Sequence, residues 1–503
     1  MTTMTHSGDL SALVHEAQTT GTLAGLPDGH LIAGASCASV RGERMETIDP
    51  GNGRVFATFA AGGAEDVDRA VVAAATALRG PWRGMAPALR GRVLQRVAQL
   101  IRVNADRLAV VECLDSGKRL VEAQGDIAGA ANCFEYYAGA CDKHEGSSIP
   151  LGPQYLAYTL NEPVGVTAHI IPWNYPLSTA ARGIAPALAA GCTVVAKPAE
   201  QTPLTALMLG ELCLQAGVPA GVCNVVTGTG AQAGAALVRH PGVDHVSFTG
   251  SVATGVNVMQ AAAPNVTRLL LELGGKSPVV VLADCDLPAA VEGVLGAIFE
   301  NAGQICSAGS RLVIARSIHA EFVQRLVERA RAMTLGHGLR NPDLGPVSSD
   351  AHLRKIAGYV ERARQHGAEV LCGGKMAHDP HSGQGWFYEP TVLDGLRPSD
   401  EVVQEEIFGP VLCVQVFDEP EEALALANGT RFGLVAGIFT RDFDAAHRLA
   451  RDIDAGQVFI NEYFAGGISV PFGGNKMSGF GREKGLEALR SYCKLKAVAA
   501  RIG

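Results

Sequence analysis

The feature that most limits what this chain can fold into is an alternation between residues 164 and 250. Short β-type runs (VGVTAHIIP, CTVVAKP, CNVVTG, HVSFTG) are separated by segments of helical period at 178–190, 203–216 and 230–239. Strand, helix and strand repeated in this way build a parallel sheet with crossover helices. A second series starts after Leu273. It reads SPVVVLAD, a helix through 288–304, RLVIARS, a helix over 319–335, and further pairs to about 461. The expected fold class is therefore α/β with two doubly wound parallel sheets. Such sheets bind ligands beyond the carboxyl ends of their strands, so the loops there are where chemistry should be sought. Helical period also marks 65–80 and 87–113, with Glu65 and Asp66 placed where a helix start favours acids. Residues 1–20 read as an arm or a short helix. Segments 150–163 and 484–503 alternate like strands but belong to neither series. They predict a small third β element whose last strand needs an edge to pair with, one that another subunit could supply.

At 503 residues the chain needs more than one core. Its 60 glycines exceed the usual ~7% and follow no period, which points to many tight turns rather than a fibre. A net charge of −8 without a basic run gives no reason to expect nucleic acid. There is no run of eighteen apolar residues, so no membrane span is expected. The first basic residue is Arg41, which fits neither a secretory nor a mitochondrial leader, so a cytoplasmic protein is expected. The 12 cysteines contain no CxxC pair and read as mostly reduced core thiols. His378 and His381 share a Gly/Pro-rich loop without further ligands, so no metal site is expected.

Five segments carry chemistry. Cys306 lies in GQICSAGSR between a helix and a strand, among small residues that leave room for a substrate. Alone, such a cysteine is more often a packed thiol. Glu272 in LELGGKSP ends an apolar run, where a partly desolvated carboxylate can act as a base or simply sit in a turn. Asn174 in IIPWNYPL stands in a rigid loop after a strand; its amide can donate to an oxyanion or cap the turn. Lys197 and Glu200 in VVAKPAEQTP can reach ribose hydroxyls. VTGTG (226–230) and FTGSVATG (248–255) place glycines at two helix starts, where free N–H groups attract phosphate, although no intact GxGxxG is present.

Taken together, PWN, KPAE, FTGS, LELGGK, GQxC, EEIFGPV (405–411) and PFGGNKMSGFGRE (471–483) occur in this order. The pattern resembles the aldehyde dehydrogenase superfamily over nearly the whole chain, from about Gly29 onward. The resemblance implies Cys306 as nucleophile, Asn174 and the Cys306 N–H as oxyanion donors, Glu272 as the base that activates hydrolytic water, and Glu483 as a buried carboxylate in proton relay. It implies a cofactor site built from Ile171, Pro172, Trp173, Lys197, Glu200, Gly228, Gly230, Phe248, Gly250, Ser251, Leu273, Glu406 and Phe408. Glu200 would repel a 2′-phosphate, which favours NAD over NADP. The implied division is a cofactor domain (1–140 and 164–275), a catalytic domain (276–475) and an oligomerisation element (141–163 and 476–503), with a homodimer or tetramer as the assembly.

Tyr175, Arg182, Ser307 and Phe464 are the implied substrate-tunnel residues. An aromatic residue stands at the position of Arg182 in many members, whereas succinate semialdehyde dehydrogenases resemble this chain in carrying arginine. Two readings stay open. The guanidinium awaits a carboxylate- or sulfonate-bearing aldehyde, or it pairs with a protein acid and leaves a neutral or aromatic aldehyde as substrate. Gly183 stands where many members carry lysine, which puts a proton route through that lysine in doubt. Rival readings are a dehydrogenase that acylates coenzyme A, against which Glu272 argues, and an inactive structural homologue, against which Cys306, Asn174 and Glu272 argue together.

Overall fold

The computed structural model describes residues 9–502. Five parallel strands form the heart of the first sheet: β1 (Val166–Ile170), β2 (Thr193–Lys197), β3 (Cys223–Val225), β4 (His245–Thr249) and β5 (Arg268–Glu272). Their spatial order is β3-β2-β1-β4-β5. Strand order thus reverses between β1 and β4, and a crevice opens at their carboxyl ends. His30–Ile32 and Ala35–Cys37 extend one edge of this sheet, and Gly479–Phe480 pairs antiparallel with β5 at the other. β2 is wholly buried, as expected of a strand covered on both faces. Helix α1 (Pro176–Ala190) starts at a proline, whose missing N–H costs nothing there, and ends at Gly191 in the left-handed conformation.

The second sheet holds six parallel strands: β6 (Pro278–Val281), β7 (Arg311–Ala315), β8 (Thr391–Asp394), β9 (Val411–Phe417), β10 (Val435–Phe439) and β11 (Gln457–Ile460). Their order is β8-β9-β7-β6-β10-β11, with Glu369–Cys372 antiparallel on the β8 edge. Both sheets expected from the alternation are present.

Three local expectations need correction. The stretch 87–113 is two helices, Pro87–Val103 and Ala105–Ser116, because the Asn104 side chain donates to the Leu100 carbonyl at 2.8 Å and competes with the main-chain ladder. The helix expected through 304 ends at Phe299, beyond which Asn301, Ala302 and Gly303 all take positive φ. The terminal strand finds its edge within its own chain. Cys493–Arg501 pairs antiparallel with Tyr155–Pro163 along its full length, and Ser148–Ile149 adds a third strand. At the other end of the chain, the expected short helix is Leu10–Thr20; residues 1–8 lie outside the described residues. Among the described residues, no helix is long and apolar enough to cross a membrane.

Candidate active site

The loop after Phe299 sets the position of Cys306. Gly303 has φ +69°, and a methyl there would run into the Gly409 carbonyl, so only glycine fits the turn. The amides around this turn fix one another. Asn301 donates to the Asn174 carbonyl at 3.2 Å, Gln304 donates to the Asn301 carbonyl at 3.1 Å, and Gln304 accepts from the Ser348 N–H at 2.9 Å. Asn174, 6% exposed, donates one side-chain N–H to the Gln304 carbonyl at 2.8 Å. Its second amide hydrogen is free for another acceptor. The β1 loop and the Cys306 loop are thereby locked together. Sequence reasoning missed Asn301 and Gln304, although two amides immediately before a candidate nucleophile were a usable signal.

Cys306 and Cys37 are the two of the 12 cysteines that are not fully buried, and all 12 are free thiols. Cys306 lies against Leu434, Val435, Phe459 and Phe472. The segment after Glu272 runs along the same loop: a methyl on Gly275 would stand 2.5 Å from the Cys306 carbonyl oxygen. Burial pushes the Cys306 thiol up to about 12; Arg182 opposes this, while Glu272, Glu406 and Glu483 add to it. Glu272 is 2% exposed, and neither carboxyl oxygen has a hydrogen-bond partner. Burial and the neighbouring Glu483 hold its carboxyl well above the usual carboxylate range, against the pull of Arg182, Arg482 and Lys484. A carboxyl in this position is a stronger base than one in water.

Arg182 has a partner within the protein. Its guanidinium forms an ion pair with Glu483, which is 2% exposed, and lies 4.8 Å from the centre of the Phe472 ring. Of the two readings of this arginine, the structure supports the protein partner. Lys484 approaches the same ring at 5.3 Å. Desolvation lowers its ammonium to about 8.

The remaining substrate candidates are spread around this chamber. Tyr175 opens α1, with the Lys118 ammonium 4.3 Å over its ring. The Ser307 carbonyl accepts from the Tyr463 hydroxyl at 2.9 Å. Phe464, at φ +67°, meets Tyr463 edge-on at 4.8 Å. Tyr463, Phe472 and Lys118 were missed from sequence; the YF pair after β11 was the available clue to the first.

A profile described as the aldehyde dehydrogenase family matches residues 37–498. The chain belongs to the aldehyde dehydrogenase family. It is 44% identical to a betaine aldehyde dehydrogenase of Bacillus subtilis (strain 168), over 90% of this chain and 93% of that protein. The crystal structure of a betaine aldehyde dehydrogenase from Staphylococcus aureus, in complex with NAD+, matches with a TM-score of 0.93 at 39% identity, over 94% of this chain and 95% of that one. An indole-3-acetaldehyde dehydrogenase complexed with NAD+ matches with a TM-score of 0.95 at 38% identity, over 99% and 100% of the two chains.

The crevice of this aldehyde dehydrogenase suits a dinucleotide. Lys197, 2% exposed at the end of β2, reaches Glu200 at 3.3 Å, leaving a carboxylate at the rim able to accept from ribose hydroxyls. Thr229 and Ser251 each cap a helical turn through Gln232 and Thr254 N–H groups, beside Gly228, Gly230 and Gly250. Farther along, Glu406 accepts the Gly275 N–H at 3.0 Å, and burial raises its carboxyl to about 7. Phe408 and Trp173 meet edge to face at 5.3 Å, while Ile171 and Pro172 carry the chain from β1 to Trp173. The Phe248 and Leu273 side chains are buried in the apolar layer under helix α2 (Val252–Ala262), with the tip of the Phe248 ring against Gly250.

Proposed function

We propose that this aldehyde dehydrogenase oxidises an aldehyde to its acid with NAD, through a thioester on Cys306. The observation that carries the reading is that Asn174 is hydrogen-bonded to the Cys306 loop at Gln304 while Glu272, buried and without a hydrogen-bond partner, lies close enough to act on the Cys306 thiol. NAD, when bound, supplies the acceptor for the hydride. Lys197, Glu200 and Glu406 would hold its ribose hydroxyls, and the α2 and Gly230 turns its phosphates. The chain's own residues do the rest. Cys306 attacks the aldehyde carbon, with the free Asn174 N–H placed for the developing oxyanion. Glu272 takes a proton from the water that later cleaves the thioester. Cys306→Ser tests the reading: loss of NADH formation and of the acyl-enzyme is expected, and undiminished turnover would sink it.

For the substrate, a neutral aromatic aldehyde is the best reading. The lining is rich in rings (Tyr175, Phe464, Phe472), and the Arg182 charge is already met by Glu483. One observation favours a second reading, a cationic aldehyde. The half-buried Glu300 has its carboxyl raised to about 7 by burial and by Glu122 and Asp126, and it neighbours Tyr175. Comparing kcat/KM for aromatic, trimethylammonium and carboxylate aldehydes of matched length separates the three classes.

Division into cofactor, catalytic and oligomerisation parts is proposed along the same lines. Exposed Ile149, Leu156, Leu160 and Leu495 on the three-stranded sheet support assembly of this chain through that element.

A further inference from the structure

A row of buried polar side chains runs down one face of the first sheet, starting at Glu272. Parallel register places Thr249 beside Glu272 and Ser247 beside Leu270; on the other side Ser247 pairs with His169, and His245 with Thr167 and Arg268. Side chains alternate along a strand, so Glu272, Thr249, Ser247, His169, His245 and Arg268 share a face. That face lies under α1 and helix α3 (Gly485–Ser491). Gly183 of α1 has no side chain where a methyl would run into His169 Nδ1. Tyr492, just after α3, stacks on both histidines, at 5.7 Å from His169 and 5.0 Å from His245.

His169 Nε2 meets Thr167 Oγ1 at 2.9 Å, but other polar atoms of the row lack protein partners. His169, His245 and Tyr492 are each at most 3% exposed, yet His169 Nδ1 and both His245 nitrogens make no hydrogen bond to protein, and the Tyr492 hydroxyl lies near Ser247. Such groups are rare in a native core and call for small polar occupants. A purely structural layer here would be better built from apolar side chains of the same size. Burial holds both imidazoles neutral, His169 at about 3 and His245 at about 4. A neutral imidazole accepts a proton at one nitrogen while releasing one at the other.

We propose that the His169–Tyr492–His245 row is a hydrated proton exit for Glu272, leading down the sheet to solvent at Arg268. It rests on Glu272 being the base of the proposed function. In deacylation the water oxygen bonds to the thioester carbon, one water proton passes to Glu272, and the C–S bond breaks to leave the Cys306 thiolate. Glu272 must then shed that proton before the next turnover. Glu483 lies within electrostatic reach of both Glu272 and Tyr492 and links the chamber to the row. Arg268, exposed at the start of β5, acts on His245 and donates to the Cys493 carbonyl at 3.0 Å. Four residues of strand separate Glu272 from Arg268, or about 13 Å.

The test uses His169→Leu and, as a variant of nearly identical shape, Tyr492→Phe. Each is read by stopped-flow NADH formation and by the lifetime of the acyl-enzyme formed from p-nitrophenyl acetate without dinucleotide, followed by intact mass. The expected result is a retained first-turnover burst, a first acyl-enzyme that is hydrolysed at the parent rate, and a steady-state turnover slowed about tenfold with a larger solvent isotope effect. Unchanged steady-state turnover in both variants would overturn the proton exit, as would equal loss of burst and turnover. Glu272→Gln serves as the reference. If it deacylates normally, the assignment of the base fails; if it stalls while both row variants turn over normally, only the exit fails.

Discussion

The Arg182 guanidinium and the Glu483 carboxylate are paired in the wall of the chamber that holds Cys306 and Glu272. This pair sets the charge felt by the nucleophile, because Arg182 is the neighbour that most lowers the thiol's pKa. Replacing Arg182 with Leu should slow alkylation of Cys306 by iodoacetamide at pH 8. It should also destabilise the fold by about 3 kcal/mol, since a buried carboxylate loses its partner. Adding Glu483→Leu should recover most of the stability but only part of the alkylation rate, because Glu483 raises the thiol less than Arg182 lowers it, as thermal melts and alkylation time courses would show.

Glu200 should decide between dinucleotides. With its carboxylate at the rim near Lys197, a 2′-phosphate meets like charge. Glu200→Ser should raise the kcat/KM ratio of NADP to NAD by about tenfold. An unaltered ratio would show that the carboxylate plays no part in the choice.

Gly303 is expected to tolerate no side chain. Gly303→Ala adds a methyl against the Gly409 carbonyl at φ +69°, which should cost about 2 kcal/mol of stability and shift the Cys306 loop. Turnover should fall far more than dinucleotide affinity, measured by fluorescence titration.

Lys484 gives a pH signature. Its folded value of about 8 lies below the 10.5 of an ordinary lysine. The unfolded chain therefore binds the extra proton between these limits. Stability carries the full penalty below pH 8 and gains as pH rises toward 10.5. Lys484→Met should melt higher than the parent at pH 7, with the gap closing by pH 10.

Reading the chain alone located most of this architecture, and the reasons differ by element. β1, β2 and β4 announce themselves because parallel strands covered on both faces leave unbroken apolar runs flanked by glycine and proline. Cys306, Asn174 and Glu272 were legible through the ordered motifs rather than through their own surroundings. The partner of Arg182 was not legible, because Glu483 lies 301 residues away along the chain. The break at Asn104 was missed since helical period continues through it. The polar row was hidden because His169 and His245, read in sequence, look like isolated residues inside apolar strands.

The strand Cys493–Arg501 and the Gly479–Phe480 edge come from the last thirty residues of the chain, as do Glu483 and Tyr492. A growing polypeptide that has cleared the ribosome only to residue 470 has its nucleophile and most of both sheets, but no wall behind the base. A chain shortened to residue 470 would keep the Cys306 loop but leave Arg182 without Glu483, and His169 and His245 without the Tyr492 ring.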